Sequence, residues 1–359
     1  MRDFVYQAQT SRVIFGAGSL QHLEREVQLL GAERALVLCT PEQQEIAEQV
    51  ATRLGTRAAG IYAKAVMHVP AETAAAALQE ATRLGADCAI AVGGGSTTGL
   101  GKAIALQSGL PILAIPTTYA GSEMTPIYGI TENSIKKTGR DARVLPRTVI
   151  YDPHLTLSLP VGLSVTSAMN AIAHAAEGLY AQDGNPIMDL MAEEGIRALA
   201  SAIPLIKANS TDVEARSDAL FGAWLCGTVL GNVGMALHHK LCHTLGGTFN
   251  LPHAEVHTVI LPHAIAFNAA ASPVAMKKIS RALGGVPAAQ GLYELAKKNG
   301  APVSLKELGL AVSDLDKASH IAMQNPYWNP RPIGMDSVTA IRRLLQNAWE
   351  GVSPVDSLS

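Results

Sequence analysis

Short β-rich runs alternate with helical stretches through the first part of the chain, and this alternation constrains the fold more than any other feature. Residues 35–38, 88–92 and 113–115 are apolar runs typical of buried strands. Residues 42–54 and 100–108 have the periodicity of helices. Because consecutive parallel strands need a crossover, which is usually a helix, the pattern predicts a doubly wound parallel sheet in an α/β unit.

The pattern changes near residue 155. Beyond it, the sequence has longer stretches rich in Ala and Leu, at residues 167–181, 186–203, 215–230 and 235–245. These stretches predict helices, with few β-branched runs between them. Since 359 residues are about twice the usual length of one domain, we predict two domains. The first is an α/β dinucleotide-binding domain at residues 1–155, and the second is an all-α domain at residues 156–359.

The composition excludes several classes of protein. With 28 basic and 30 acidic residues, the chain lacks the basic stripe of a nucleic-acid-binding protein. Its four cysteines form no C-x-x-C pair, which favours a reducing compartment. The N-terminus has no apolar core of secretory-signal length, and no apolar run reaches about 18 residues. We expect a soluble, cytoplasmic protein with no nucleic-acid or membrane partner.

A glycine-rich turn follows the predicted strand at 88–92. It comprises Gly93, Gly94 and Gly95, followed by Ser96 and Thr97 at the start of a predicted helix. Backbone N–H groups at such a helix N-terminus bind phosphate, and the hydroxyl groups add donors. The alternative is a tight connection without a ligand, and the turn matches neither G-x-G-x-x-G nor Walker A.

A second loop with hydroxyl side chains follows the predicted strand at 113–115. It contains Thr117, Thr118 and Ser122. Two such loops at the carboxyl ends of neighbouring strands predict a nucleotide crevice at the switch point of the sheet. Residues 39–41, after the first clear strand, carry no acid to bind the adenosine ribose. The sequence therefore does not select between a nucleotide with a free ribose 2′-hydroxyl and one with a 2′-phosphate.

Histidines are concentrated in the predicted helical domain. Asn170 and His174 are four residues apart, as are His239 and His243, so each pair shares one helix face, and His253 follows in a loop. A single histidine on an apolar helix is more often a core residue than a ligand. The clustering instead predicts a metal site or a proton-transfer site.

These residues resemble the iron-containing (group III) alcohol dehydrogenases over essentially the whole chain. The motifs G-G-G-S-x-x-x-x-x-K, P-T-T-x-x-x-S-E, x-A-x-x-H-A-x-E and H-x-x-x-H-x-L-G-x-x-x-x-x-P-H occur in the order and spacing of that family. The resemblance implies a dinucleotide-binding α/β domain followed by a helical domain, an architecture shared with dehydroquinate synthase. It also implies a homodimer.

The resemblance assigns roles to the histidines and shows one departure. The family holds its metal with one Asp and three His, and those positions fall on Asn170, His174, His239 and His253. Because a neutral amide is a much poorer ligand than a carboxylate, we expect that no metal is bound or required. His243 matches a family histidine near the nicotinamide that relays protons.

Asn170, Gly99, Tyr119 and the segment N-P-Y-W-N-P-R-P at residues 325–332 resemble one branch of the family, the maleylacetate reductases. Enzymes of that branch reduce the C=C bond of maleylacetate to give 3-oxoadipate with NADH or NADPH, in the catabolism of aromatic compounds. Some also act on chlorinated analogues. The resemblance therefore implies a small dicarboxylate substrate.

The chemistry of an enone dicarboxylate suggests roles for further residues. His174, His239, His243 and His253 could bind carboxylate or enolate oxygens, with His243 or His253 as proton donor. Arg331 could clamp a carboxylate, or be a solvated loop residue, and Tyr119 could bind substrate. The alternatives are a metal-dependent alcohol dehydrogenase for small alcohols or aldehydes, a lyase-type relative, and a nucleotide-binding protein without catalysis.

Overall fold

A computed structural model of the protein describes residues 4–9, 11–132, 135–334 and 336–354. Close contacts divide these residues into two compact units, each considered separately below. The first unit comprises residues 8–159 and 211–220, and the second comprises residues 4–7, 160–210 and 221–354. The division into domains at residue 155 stays a prediction. It places residues 211–220 in the second domain, whereas the contacts group them with the first unit.

The first unit is built on a six-stranded parallel sheet with the strand order β1-β8-β5-β4-β2-β3. The six strands are β1 (Arg12–Phe15), β2 (Ala35–Leu38), β3 (Ala58–Tyr62), β4 (Cys88–Gly93), β5 (Ile112–Pro116) and β8 (Thr148–Tyr151). The central strands are apolar along their whole length because both faces of the sheet are covered. A separate antiparallel hairpin contains β6 (Ile127–Glu132) and β7 (Ile135–Arg140).

Helices connect the parallel strands of the first unit. They are α1 (Leu23–Leu29), α2 (Gln44–Leu54), α3 (Ala71–Arg83) and α4 (Gly95–Ser108). The predicted doubly wound α/β architecture is confirmed. Among these helices, α4 differs most from its predicted bounds. It begins at Gly95 rather than at residue 100, because the glycines of the turn continue directly into the helix.

The order of the strands reverses next to β4. From β2 the chain moves outward to β3, returns to β4 on the other side of β2, and then continues through β5 to β8. The carboxyl ends of β2 and β4 therefore flank a topological switch point, where doubly wound sheets bind nucleotides. The glycine-rich turn begins at this point, with Gly93 as the last residue of β4.

The second unit is helical, as predicted. Its helices are α5 (Val161–Gly178), α6 (Pro186–Ala208), the end of α7 (Val213–Asn232), α8 (Leu237–Phe249), α9 (His253–Asn268), α10 (Pro273–Ala282), α11 (Ala288–Lys298), α12 (Asp314–Ala322) and α13 (Ser337–Glu350). One apolar core joins α8, α9, α12 and α13 and includes Leu241, Ile260 and Leu345. Exclusion of water from such side chains stabilises the packing of these helices.

Helix α5 is buried on all sides from Ser164 to Gly178. Most of its residues are small and apolar, which suits a helix enclosed by neighbours, and it packs against α6 and α9. Asn170, His174 and Glu177 interrupt this apolar sequence at spacings of four and three, so they share one face. Buried polar groups need partners, and these three residues begin the site described next.

Within the described ranges, no single helix is long and apolar enough to cross a membrane. Helices α7 and α8 together, with a 96° bend between them, meet the criteria by length and composition alone.

Candidate active site

Glu177 organises the start of α8. It is fully buried, and its Oε1 accepts a hydrogen bond from the backbone N–H of His238 at 2.8 Å. Its Oε2 accepts bonds from the backbone N–H of Ala236 at 2.8 Å and from Nδ1 of His239 at 2.7 Å. The carboxylate thus binds orphan N–H groups at a helix N-terminus, a favourable position for negative charge. It also places a proton on Nδ1 of His239.

The predicted histidines of the second unit come together. The ring centroids of His174 and His239 lie 5.3 Å apart, and those of His239 and His243 lie 6.1 Å apart. His253 joins them through His257, whose ring lies 4.4 Å from His253 and 5.0 Å from His239. Burial lowers the pKa of His174 well below its usual range, and the neighbouring His239 adds to the effect, so His174 is neutral at pH 7.

Several polar atoms of this cluster are buried but have no hydrogen-bond partner within the described part of the chain. They are Oδ1 of Asn170, Nδ1 of His174, Nε2 of His239 and Nε2 of His257. Folded proteins pair nearly all of their buried polar atoms, so a group of unpaired atoms in one place marks a ligand site. We name these four residues, with His243 and His253, the histidine site.

His243 and His253 differ from the buried members of the histidine site because they reach solvent. His243 is exposed and His253 is half-buried. Nδ1 of His243 lies 3.0 Å from the hydroxyl of Tyr327, which is half-buried. Burial raises the pKa of Tyr327, and Glu177 raises it further, so this hydroxyl keeps its proton. Because His243 is exposed, its imidazole can exchange a proton with solvent while the Tyr327 hydroxyl holds the ring in place.

The residues at the family's metal positions form a neutral donor set. Asn170 supplies an amide, and His174, His239 and His253 supply imidazoles. The nearby carboxylate of Glu177 is occupied by Nδ1 of His239 and by backbone N–H groups. A divalent ion would retain its full charge in buried surroundings, which is costly. The donor set therefore does not fit the metal that the family holds with an aspartate.

The first two glycines of the glycine-rich turn have no room for side chains. Gly93 has φ +147°, and a Cβ there would lie 2.3 Å from Oε1 of Gln43 and 2.6 Å from Oγ1 of Thr97. A Cβ on Gly94 would lie 2.9 Å from Oγ1 of Thr118. These close approaches bring the carboxyl end of β4, the start of α2 and the loop after β5 together around the turn.

The first turn of α4 is open to a ligand. Gly94 occupies the N-cap, Gly95 is exposed, and the turn contains no acidic side chain. Oγ1 of Thr97 and Oε1 of Gln43 are buried there without a partner among the described residues. Free backbone N–H groups and uncommitted hydroxyl and amide groups at a switch point fit a pyrophosphate. The turn is thus suited to hold a nicotinamide dinucleotide.

The loop after β5 adjoins the same turn. The backbone N–H of Thr117 donates to the carbonyl of Gly93 at 3.1 Å, and the Thr117 hydroxyl accepts a bond from Nε2 of Gln43. Thr118 is half-buried beside Gly94, and Ser122 is also half-buried. The structure therefore brings Thr117 and Thr118 next to the glycines, as the sequence predicts, and places Ser122 further along the loop.

Lys102 joins α4 to the end of this loop. It is fully buried, and its Nζ donates to the carbonyls of Ser122 at 2.7 Å, Thr125 at 2.8 Å and Ile127 at 2.7 Å. Burial lowers the pKa of the ammonium to about 7, and the carboxyl of Glu123 opposes that shift. One ammonium group thus ties the helix that carries the phosphate turn to the second loop.

A Lys102→Met variant is expected to lower the free energy of unfolding by roughly 2–4 kcal/mol, because three buried carbonyl groups would lose their donor. Chemical denaturation of the variant and of wild type measures the difference. Lys64→Met, at an exposed position of the same unit, is the matched control. An unchanged free energy of unfolding in Lys102→Met would show that water replaces the ammonium at no cost.

The two predicted substrate-binding residues have partners of their own. Tyr119 is fully buried in the first unit, and its hydroxyl accepts a hydrogen bond from Nη1 of Arg216 at 3.1 Å. Arg331, in the second unit, is exposed and lies over the ring of Phe267, 4.2 Å from its centroid. It also lines a cavity whose described walls come from α9, α13 and residues 352–354. Their roles toward substrate stay predictions.

Several residues of the histidine site and of the glycine-rich turn were not predicted from the sequence. Glu177 lies three residues after His174, and His257 lies four residues after His253, so the helical spacing already used for the predicted pairs also indicates these two. Tyr327 lies in the segment 325–332 but had no role. Gln43 had no sequence signal, because it reaches Gly93 from a different strand–helix connection.

Two family models match this chain. The model for iron-containing alcohol dehydrogenases matches residues 10–153, and the C-terminal model of the Fe-containing alcohol dehydrogenase family matches residues 164–346. Together they cover both compact units.

Several similar proteins carry the name maleylacetate reductase. Maleylacetate reductase of Burkholderia cepacia is 64% identical over 354 residues, which make up 99% of this chain and 100% of that protein. Maleylacetate reductase of Pseudomonas sp. (strain P51) is 58% identical over 352 residues, 98% of this chain and 99% of that protein. The crystal structure of maleylacetate reductase from Agrobacterium tumefaciens has a TM-score of 0.94 and 53% identity, covering 99% of this chain and 100% of that one.

Proposed function

The chain belongs to the iron-containing alcohol dehydrogenase family, and from that membership we propose that it is a maleylacetate reductase. Its reaction is the NADH- or NADPH-dependent reduction of the C=C bond of maleylacetate to 3-oxoadipate. The observation that carries the proposal is the neutral histidine site, in which Asn170 stands where the family has its metal-binding aspartate and has its Oδ1 unpaired. The full-length identity to proteins named maleylacetate reductase supports it.

The substrate explains why an asparagine suits this position. Maleylacetate carries two carboxylates and an enone, so it brings two negative charges and develops a third during reduction. An aspartate at position 170 would repel these charges, whereas the Asn170 amide can donate hydrogen bonds to them. The neighbouring His174 and His239 add imidazole groups without negative charge.

The reaction divides between the two halves of the protein. The glycine-rich turn and the loop after β5 would hold NADH or NADPH, which would supply the hydride for the carbon β to the ketone and so leave an enolate at the ketone oxygen. N–H groups of Asn170, His174 and His253 bind the carboxylate and enolate oxygens, while His239, whose proton is held on Nδ1 by Glu177, leaves its Nε2 as an acceptor. The enolate then collapses, and its α carbon takes a proton to complete 3-oxoadipate.

The proton comes from a histidine that reaches solvent. His243 and His253 have this access, whereas His174 and His239 are buried. The Tyr327 hydroxyl beside His243 keeps its own proton, so solvent returns the proton to the exposed imidazole of His243 after transfer. We therefore assign proton delivery to His243 or His253 and binding of negative charge to the buried residues.

No metal is required in this proposal. Alcohol oxidation leaves charge on one oxygen, and a Lewis-acidic metal on that oxygen lowers the barrier. Enone reduction spreads the charge over an enolate, for which hydrogen-bond donors suffice. We propose further that the enzyme is a cytoplasmic homodimer without a nucleic-acid partner. Gly93, Gly94, Gly95, Ser96, Thr97, Thr117, Thr118 and Ser122 bind the cofactor, and Tyr119 and Arg331 remain candidates for substrate contacts.

The test is NADH oxidation with freshly generated maleylacetate, run on one preparation with and without a strong chelator and accompanied by metal analysis. We expect rapid oxidation that the chelator leaves unchanged, by protein with far less than one metal ion per chain. Metal-dependent oxidation of simple alcohols, without turnover of maleylacetate, would make the protein a metal-dependent alcohol dehydrogenase. Binding of NADH with no turnover of either would indicate a nucleotide-binding protein.

A further inference from the structure

His257 lies within the histidine site but has no role in the mechanism above. It is fully buried on α9, and its Nδ1 is 2.9 Å from Nε2 of His238. The two nitrogens of an imidazole diverge, so Nε2 of His257 faces away from His238. That atom has no hydrogen-bond partner within the described residues. The rings of His253, His239 and His174 lie around the His257 ring, with centroid-to-centroid distances of 4.4, 5.0 and 6.3 Å.

A third residue sets the direction of this hydrogen bond. Sγ of Cys242 lies 3.6 Å from Nε2 and 3.9 Å from Nδ1 of His238, and all three side chains are buried. Nε2 of His238 already faces Nδ1 of His257, so we take the other nitrogen, Nδ1, as the acceptor of the Cys242 thiol proton. His238 then carries its proton on Nε2 and donates it to Nδ1 of His257. In this series of hydrogen bonds each donated hydrogen has an acceptor except the last one, Nε2–H of His257, which has none among the described residues.

We propose that His257 is a further substrate-binding residue of the histidine site, presenting a fixed Nε2–H to the developing enolate, with His238 as its positioning residue. This inference rests on the proposed reduction of maleylacetate. The structure favours a donor over an acceptor at this place because the substrate atoms that need stabilisation are oxygens with negative charge. A donor held in one tautomer needs no reorganisation when that charge forms.

The role differs from that of the two solvent-accessible histidines. His257 is enclosed by protein, so it is poorly placed to collect a replacement proton from solvent after each turnover. It can hold its proton and share it in a hydrogen bond. His243 and His253, which reach solvent, can give theirs away and regain them. The site then has two kinds of hydrogen-bond donor. One keeps its proton and stabilises the enolate, and the other gives a proton to the enolate and regains it from solvent.

Variants of the hydrogen-bonded residues His257 and His238 test the proposal. His257→Leu is expected to lower kcat for maleylacetate about tenfold to 100-fold with a smaller change in KM, since the bond strengthens only as charge develops. His257→Gln keeps an N–H at similar reach and should recover most of that loss, and His238→Leu should have an intermediate effect. His320→Leu, at an exposed histidine of α12, is the control, and NADH binding should be unchanged in all four. If kcat of His257→Leu stays within twofold of wild type, or Gln gives no recovery, the proposal is wrong.

The tautomer is a readout that does not depend on turnover. Nitrogen-15 NMR of histidine-labelled wild type, with signals assigned through His257→Gln and His238→Leu, should show the neutral Nε2–H form of His257. The Nδ1–H form would overturn the assignment even if the enzyme reduces maleylacetate. The Nε2–H form would support it even if the proposed substrate proved wrong. A ligand atom of His238, Cys242 and His257 lies within 4.8 Å of each of the others, so a chelator is added as a control. A shift of these signals on chelation would reveal a bound metal and overturn the hydrogen-bond chain.

Discussion

A Gly95→Ala variant is expected to bind NADH and NADPH about 100-fold more weakly than wild type, without losing stability. Gly95 opens α4 and is exposed, and among the described residues a Cβ there would meet the Cβ of Ala120 at 3.8 Å, an ordinary contact. The fold therefore accepts the methyl group. A pyrophosphate bound to the backbone N–H groups of the turn does not, because it would occupy the same space. Loss of two charge-assisted hydrogen bonds accounts for an effect of this size.

Two measurements separate binding from folding in this variant. Fluorescence titration with NADH gives the dissociation constant, and chemical denaturation gives the free energy of unfolding. Gly101→Ala is the matched control, because it lies on the same helix and its Cβ would meet neighbours at ordinary distances of 3.6–3.7 Å. The control should bind NADH as wild type does. Equal affinity of wild type and Gly95→Ala would show that the phosphate groups bind somewhere other than this turn.

The sequence predicts the centre of the sheet better than its edges. Strands β2, β4 and β5 are buried on both faces, so their residues are apolar throughout and stand out from the helices between them. Strands β1 and β3 lie at the two edges of the sheet, where most of their residues are only half-buried. The sequence prediction did not single them out for this reason.

Whether a residue of the candidate site could be predicted depends on its spacing in the sequence and on its partners. Asn170, His174, His239 and His243 could be predicted because helical spacing shows which residues share a face. The burial of Glu177 and Lys102 could not be predicted, because a charged side chain is usually solvated and a sequence does not show the distant partners that allow its burial. The backbone N–H groups of α8 stabilise Glu177, and three carbonyls beyond β5 stabilise Lys102. These partners are known only once the chain has folded.

Burial also separates histidines that look alike in the sequence. His238, His239 and His243 lie on one helix, yet His238 and His239 are buried and His243 is exposed. Burial lowers the pKa of His238 well below its usual range, which keeps it neutral. Its ring supports His257, the ring of His239 is held by Glu177, and the ring of His243 contacts Tyr327. Neighbouring positions on α8 thus take part in different hydrogen-bond networks.

An Asn170→Asp variant is expected to convert the histidine site into a metal site, with a gain of at least about 100-fold in affinity for ferrous or zinc ions. The substitution adds one anionic oxygen to the imidazoles of His174, His239 and His253 and so offsets part of the charge of the ion. The same charge repels the two carboxylates of maleylacetate, so reduction of maleylacetate by the metal-free variant should fall at least tenfold, on the order expected for one adverse buried charge.

Metal analysis after dialysis against limiting metal, with titration of a fluorescent chelator as competitor, measures the gain. Asn170→Ala serves as control, because it removes the amide without adding charge and should gain no metal. If wild type already retains one ion per chain as tightly as Asn170→Asp, the three imidazoles are sufficient ligands without an anion. The neutral donor set would then be a working metal site, and the reduction of maleylacetate would have to be derived with the metal on its enolate oxygen.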